Sequence, residues 1–368
     1  MCLGPIIGGA FTDSGATWRW AFYINLCVGA LFAPVYLFIL PRFDPRPGVP
    51  LMRRLREIDW LGTLLIIGAF TAGVMAISFG GNIYAWDSGR VIGLFVTSGV
   101  LFIMFGVQQG LTILTTKERR IFPVEFLSQR IMLILFACTA SGSTATFMPI
   151  YFIPIYFQFA RGDDALEAGV RLLPLVFFLV FFCIANGAVL SAYGLYMPWY
   201  LVGGLLTVAG GAAMYTVDTS TSAGKIYGYS ILIGCGAGMF VQASFSVAQA
   251  KTQPHLIPLA IGFITCAQVG GATIALTIAN AVFLNESTKR IGEVLPDVTR
   301  ATIQATVSGA SSTFLQNLDP ATKVKVIAAI VKSIDMVYIL EITAGALTAV
   351  LSLGMKTEKL FMAAGAAG

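Results

Sequence analysis

Nine stretches of this chain, most of them about twenty residues long, are dominated by apolar and small side chains. Charged or Pro/Gly-rich links separate them. A helix rising 1.5 Å per residue needs about twenty residues to cross a bilayer core of roughly 30 Å. The runs cover 20–40, 60–79, 91–111, 131–159, 170–192, 199–217, 227–250, 257–284 and 336–355. Only 11% of the residues are charged and 57% are hydrophobic, and the mean hydropathy is +0.82. Soluble domains carry roughly 25% charged residues, so these charges are too few to cover a water-exposed surface for 368 residues. The chain therefore reads as an all-α polytopic membrane protein. Pro149 and Pro154 within the fourth run and Pro174 within the fifth predict kinked helices. Ahead of the first full run, residues 1–11 are apolar but rise only about 16 Å, half a span.

Basic residues orient the spans. The link at 41–58 holds Arg42, Arg46, Arg53, Arg54 and Arg56, and the link at 113–130 holds Lys117, Arg119, Arg120 and Arg130. Alternating sides from there puts Lys251, Lys356 and Lys359 on the same face. The opposite face carries Arg19, Arg90, Arg161, Arg171 and Lys225 in short links, plus six Lys or Arg in the long link 285–335. The positive-inside rule places the Arg-rich links in the cytoplasm; the long link on the other face, at about fifty residues, is near the length where the rule loses force. Asn285 opens an Asn-Glu-Ser sequon at the outer end of a span and is a candidate glycosylation site. The segment 319–334 predicts a short amphipathic helix on the outer surface, with Asp319 as its cap and Pro320 at its first position.

Several function classes drop out. Cys2, Cys27, Cys138, Cys183, Cys235 and Cys266 fall singly inside predicted spans, and His255 is the lone histidine. Neither a disulfide framework nor a metal site is expected. The glycine run at 234–238 lies mid-span with no strand before it, so it reads as close helix packing rather than a dinucleotide loop. Gly203–Gly204, Gly210–Gly211 and Gly270–Gly271 read the same way. No soluble catalytic domain is visible, and an enzyme is not expected.

A resemblance accounts for the short opening run. "LGPIIGGAFTD" followed by "WRWAFYIN" resembles the glycine–proline antiporter motif of the fifth span, and the start of the sixth, in the major facilitator superfamily. "LREIDWLGTLLIIGAF" is similar to the start of the two extra spans in its fourteen-span drug:proton antiporter branch. "FQFARGDDALEAGVRLLPLV" resembles that branch's link between spans nine and ten. "YMPWYLVGGLL", "GKIYGYSILIGCGAGM" and "AQVGGATIALTIANAVFLNE" are similar to spans eleven to thirteen, especially of fungal toxin and multidrug exporters. The resemblance implies a chain running from half of span five to span fourteen. Residues 1–40 would end the amino-terminal bundle, 41–58 form a cytoplasmic link and 59–112 form the two extra linker spans. Residues 113–130 would be a second link, 131–358 the carboxy-terminal six-helix bundle with its external loop 285–335, and 359–368 a cytoplasmic tail. Spans one to four, with the family's gating signature and its basic proton-coupling residue, have no counterpart here, so Met1 is expected to be an internal methionine or the product a truncated one.

The same resemblance implies roles. Gly4, Pro5, Gly8 and Gly9 would form the bent, close-packed face of span five, with Asp13 and Arg19 flanking the turn and able to pair. Asn25 would hydrogen-bond across helices. In the second bundle, intramembrane polar groups are pathway candidates because lipid burial is costly for them. Tyr151, Tyr156, Phe157, Gln158, Asn186, Gln242, Gln268 and Asn280 are candidate cavity residues, and Glu341 is a candidate proton carrier. Two readings stay open. One is a secondary active exporter of small amphipathic organic molecules (drugs, toxins or secondary metabolites), driven by protons with no cofactor, uptake being a lesser variant. The other is a truncated, transport-inactive product, pseudogene-like or regulatory. The expected partners are the lipid bilayer, protons and the small-molecule cargo, without nucleic acid. The plasma membrane is the expected location, with the vacuolar membrane as the alternative.

Overall fold

The computed structural model describes residues 4–41, 44, 47–307 and 313–360. Cys2, Arg42, Arg46, the tail from 361 and the side chain of Pro5 lie outside the described residues. The chain runs through α1 (Gly4–Asp13), α2 (Trp20–Pro34), α3 (Leu51–Arg56), α4 (Trp60–Phe79) and α5 (Gly89–Leu111). It continues with α6 (Arg130–Arg161), α7 (Ala165–Val170), α8 (Leu173–Tyr193), α9 (Met197–Met214), α10 (Ala223–Phe240) and α11 (Ala243–Lys251). The last elements are α12 (Ile257–Val294), α13 (Arg300–Val307), α14 (Thr313–Gln316) and α15 (Pro320–Ser352).

Among the described residues, eight helical segments are long and apolar enough to cross a membrane. The ninth apolar run forms the second half of α15, a helix that also carries Lys323, Lys325, Lys332, Asp335 and Glu341. Four sequence expectations change. Pro174 stands in the first turn of α8, where its missing N–H costs nothing, rather than inside a kinked span. The seventh run is broken at Val241–Gln242 into α10 and α11. α12 continues ten residues beyond its predicted end at 284. The segment 319–334 is no separate surface helix: Asp319 caps it through the Thr322 N–H at 2.9 Å, and the helix then runs unbroken into the final span.

α6, α8, α9, α10, α12 and α15 form one bundle. Glycine pairs on α9 explain two of its interfaces. A Cβ on Gly203 would stand 2.8 Å from the Gly236 carbonyl oxygen, and one on Gly210 2.9 Å from the Ile233 nitrogen, so this stripe lies against α10. A Cβ on Gly204 would stand 2.7 Å from the Ala349 nitrogen, and one on Gly211 3.0 Å from Cγ of Glu341, so the second stripe lies against α15. The run at 234–238 is close helix packing, as expected.

α4 and α5 form a hairpin packed mainly through α4 on α12. At the Arg-rich end, Arg119 bridges to Glu57 at 3.0 Å and Lys251 to Glu358 at 2.6 Å. The Leu360 N–H donates to the Gly194 carbonyl at 3.1 Å, which ties the described end of the tail to the α8–α9 turn. α2 continues as a π-turn over Val35–Ile39, and none of its residues is buried.

Candidate functional site

α6 presents two faces because a helix turns 100° per residue. Tyr151, Pro154 and Gln158 follow one another at spacings of three and four, so they share a face. That face meets Asn280, Phe283 and Leu284 of α12 across a concavity of ≈ 530 Å³, which Ile150, Ile155, Phe159 and Val307 complete. It lies toward the end opposite the Arg-rich links. Tyr151 is 50% exposed in its wall. Aromatic and aliphatic surface with two amides and a phenol suits a flat, moderately hydrophobic molecule bearing a few polar groups.

Tyr156 and Phe157 point away from this concavity and are buried in the bundle. The Tyr156 hydroxyl donates to the Asp218 carbonyl at 2.8 Å, and Phe157 lies beneath the Arg171 guanidinium, 4.7 Å from the ring centre. Arg171 also pairs with Asp163 and donates to the Tyr227 hydroxyl at 3.0 Å. This cluster fastens the link after α6, and only its "RGDDALEAGVR" segment was visible in the sequence. Asp218, in the α9–α10 link, accepts from Ser220 Oγ at 2.7 Å and Thr221 Oγ1 at 2.9 Å. The Ser220 hydroxyl first, then that of Thr221, holds its carboxyl down at about 2.

The other candidates are dispersed. Asn186 is buried in α8, and its amide nitrogen has no partner among the described residues. Gln242 is exposed at the α10–α11 break, where Val241 rests on Gly142 of α6. Gln268 is half-buried on α12, three turns or so from Asn280. Glu341 is 0% exposed, faces Gly211 of α9, and neither carboxylate oxygen has a partner among the described residues. It stands in the α9–α15 seam, away from the concavity and from the external link.

At the amino-terminal end, Gly9 is the one motif glycine in close approach: a Cβ there would lie 2.5 Å from the Ala165 carbonyl oxygen of α7. Gly4 and Gly8 face open space. Asp13 does not pair with Arg19. It accepts from the Leu166 N–H at 2.7 Å, while Arg19 stacks on Trp18 at 4.8 Å. Asn25 is exposed on α2 and has no cross-helix hydrogen bond in the described structure. Asn285 is not a free sequon asparagine. It sits within α12, half-buried, with its amide donating to Ala281 at 2.8 Å and to Gly80 of the α4–α5 turn at 3.3 Å. Among the described residues, no group of three or more His, Cys, Asp or Glu converges on a point that could hold a metal. The five described cysteines are free.

Sequence relatives bear on what such a bundle does. The chain is 55% identical over 361 residues to the MFS-type transporter pgmG of Aspergillus terreus, covering 98% of this chain and 64% of that protein. It is 50% identical over 368 residues to the efflux pump alnA of Emericella nidulans, covering 99% and 66%. It is 42% identical over 355 residues to the efflux pump patC of Aspergillus clavatus, covering 95% and 64%. The chain thus spans about two thirds of the length of these curated relatives. The family model of the Major Facilitator Superfamily matches residues 1–276, three quarters of the chain, and the chain belongs to that superfamily.

Proposed function

We propose that the gene encodes a secondary active exporter of small amphipathic organic molecules, working by alternating access between helix bundles. The observation that carries this reading is the concavity where Tyr151, Gln158 and Asn280 meet between α6 and α12, in a chain whose relatives are named efflux pumps. Its position at the end opposite the Arg-rich links suits the exit side of an outward pathway. The two amides orient a polar group of the cargo, and Tyr151, Phe159 and Phe283 cover its flat apolar part.

The driving force in this reading is the proton gradient across the plasma membrane. Glu341 is the proton carrier, because it is a carboxylate deep in the bundle whose oxygens are not committed to a hydrogen-bond partner among the described residues. Exchange of that proton would alter how α15 sits against Gly211 of α9. The test is export of amphipathic dyes from yeast expressing the gene. Gln158→Leu and Asn280→Leu each slow export at least threefold, and a protonophore or Glu341→Gln abolishes it. Export that persists after the gradient collapses, with an unaltered rate in Glu341→Gln, would remove the proton from the account.

A further inference from the structure

The α4–α5 hairpin is pinned to the rest of the chain at both ends. At the Arg-rich end Asp59, almost fully buried, accepts from Gln108 Nε2 at 3.0 Å and from Gln109 Nε2 at 2.6 Å. Gln109 in turn accepts the Phe122 N–H at 2.9 Å on its side chain and the Arg120 guanidinium at 3.2 Å on its carbonyl. At the other end Asn285 holds Gly80, and Gln304 donates to the Asn82 carbonyl at 2.9 Å and its side-chain oxygen at 2.6 Å. Midway, the Phe70 ring lies over Gly270 of α12.

Between these two fastenings lies a cavity of ≈ 720 Å³. Phe70, Phe102, Phe105, Phe122 and Phe136 dominate its wall, with Val269 at the mouth. Its polar neighbours make no demand on an occupant. The Gln109 amide is spent on Asp59 and Phe122. Thr265 and Thr273 return their hydroxyls to the Ile261 and Val269 carbonyls of their own helix, each at 2.8 Å. An apolar cavity of this kind stays dry. Its α12 wall runs from Thr265 to Thr273, roughly 12–24 Å along the helix from Ile257 at 1.5 Å per residue. That stretch straddles the middle of a hydrocarbon core of roughly 30 Å.

We infer that this cavity is a binding site for an acyl chain of a membrane phospholipid. The occupant is hydrocarbon because every amide and hydroxyl in the wall is already bonded. It is membrane lipid because α4, α5 and α12, which wall the cavity, are each long and apolar enough to cross a bilayer. The lipid would fill the space that the two fastenings hold open, making the linker hairpin and the bundle one lipid-sealed unit.

The test uses the full chain in nanodiscs containing phosphatidylcholine with a diazirine midway along one acyl chain. Irradiation and peptide mapping should place adducts on residues 102–106 and 265–273 at five or more times the density found on the Phe177–Phe181 face of α8, an exposed apolar face with no cavity. Val269→Trp and Gly106→Leu, on different helices, should each lower the cavity adducts at least threefold and leave the α8 adducts unchanged. Equal density on the two surfaces of the unaltered protein would overturn the inference, whatever the variants do. Displacement of the cavity adducts by micromolar rhodamine would also overturn it, by making the cavity a cargo site.

Discussion

Gly204 shows how much one missing side chain decides in this bundle. A Cβ there would meet the Ala349 backbone nitrogen at 2.7 Å and the Gly345 carbonyl oxygen at 2.8 Å, and backbone atoms cannot move aside as a flexible side chain can. Overpacking a well-filled interface costs about 1–3 kcal/mol. Gly204→Leu should therefore lower the thermal midpoint of the detergent-solubilised protein by several degrees. Gly228→Ala, where a Cβ meets nothing within 4 Å, should leave it unchanged. Asp218 makes a different kind of prediction. Its folded carboxyl titrates at about 2, below the ordinary value near 3.9. The hydrogen bonds from Ser220 and Thr221 thus stabilise the folded state fully above pH ~4, and that contribution fades as the pH falls toward about 2. The carboxylate is exposed, so the effect is small. Melting curves should show the deficit of Asp218→Ala relative to the parent shrinking between pH 6 and pH 3.

At the scale of elements, the linker hairpin behaves as part of the bundle because its two ends are tied by polar groups, buried at the Asp59 end and half-buried at the Asn285 end. Asp59→Ala would uncap α4 by removing the acceptor of the Gly62 N–H, and would take one hydrogen bond from each of the Gln108 and Gln109 amides, which keep the Ile113 carbonyl and Gln108 Oε1 as partners. Each buried group left without a partner costs about 1–3 kcal/mol. Hydrogen exchange should quicken in the first turn of α4 and across residues 112–129, while the Asn285 end stays protected. Little of this network was legible in the sequence. The spans themselves were, because twenty apolar residues have few alternatives in a membrane. Asp59 reads locally as the polar start of a span, and its partners stand about fifty residues later in the chain. Asn285 reads as a sequon because three letters carry no record of the Gly80 carbonyl that its amide holds. The break at Val241–Gln242 and the fusion of 319–334 with the last span depend on neighbouring helices, which a hydropathy run does not encode.

At the scale of the whole molecule, the chain is a six-helix bundle of the Major Facilitator Superfamily with a fixed linker hairpin on α12 and α1 docked on α7 through Gly9. The candidate site was half legible. Gln158 and Asn280 stand out as amides in apolar runs, and Tyr151 joins them because seven residues bring the helix back to the same face. Tyr156 and Phe157, two residues and one residue before Gln158, turn into the core instead, a distinction that required the helix phase. The central claim is that the α6–α12 concavity is the exit-side mouth of an export pathway, and one measurement bears on it most directly. A Gln158→Cys variant, with the natural cysteines replaced, is expressed in intact cells and treated with a membrane-impermeant maleimide, with and without an amphipathic cargo. The account predicts prompt labelling from outside and at least threefold slowing by cargo. Labelling that requires permeabilised cells, or that cargo does not slow, would contradict it.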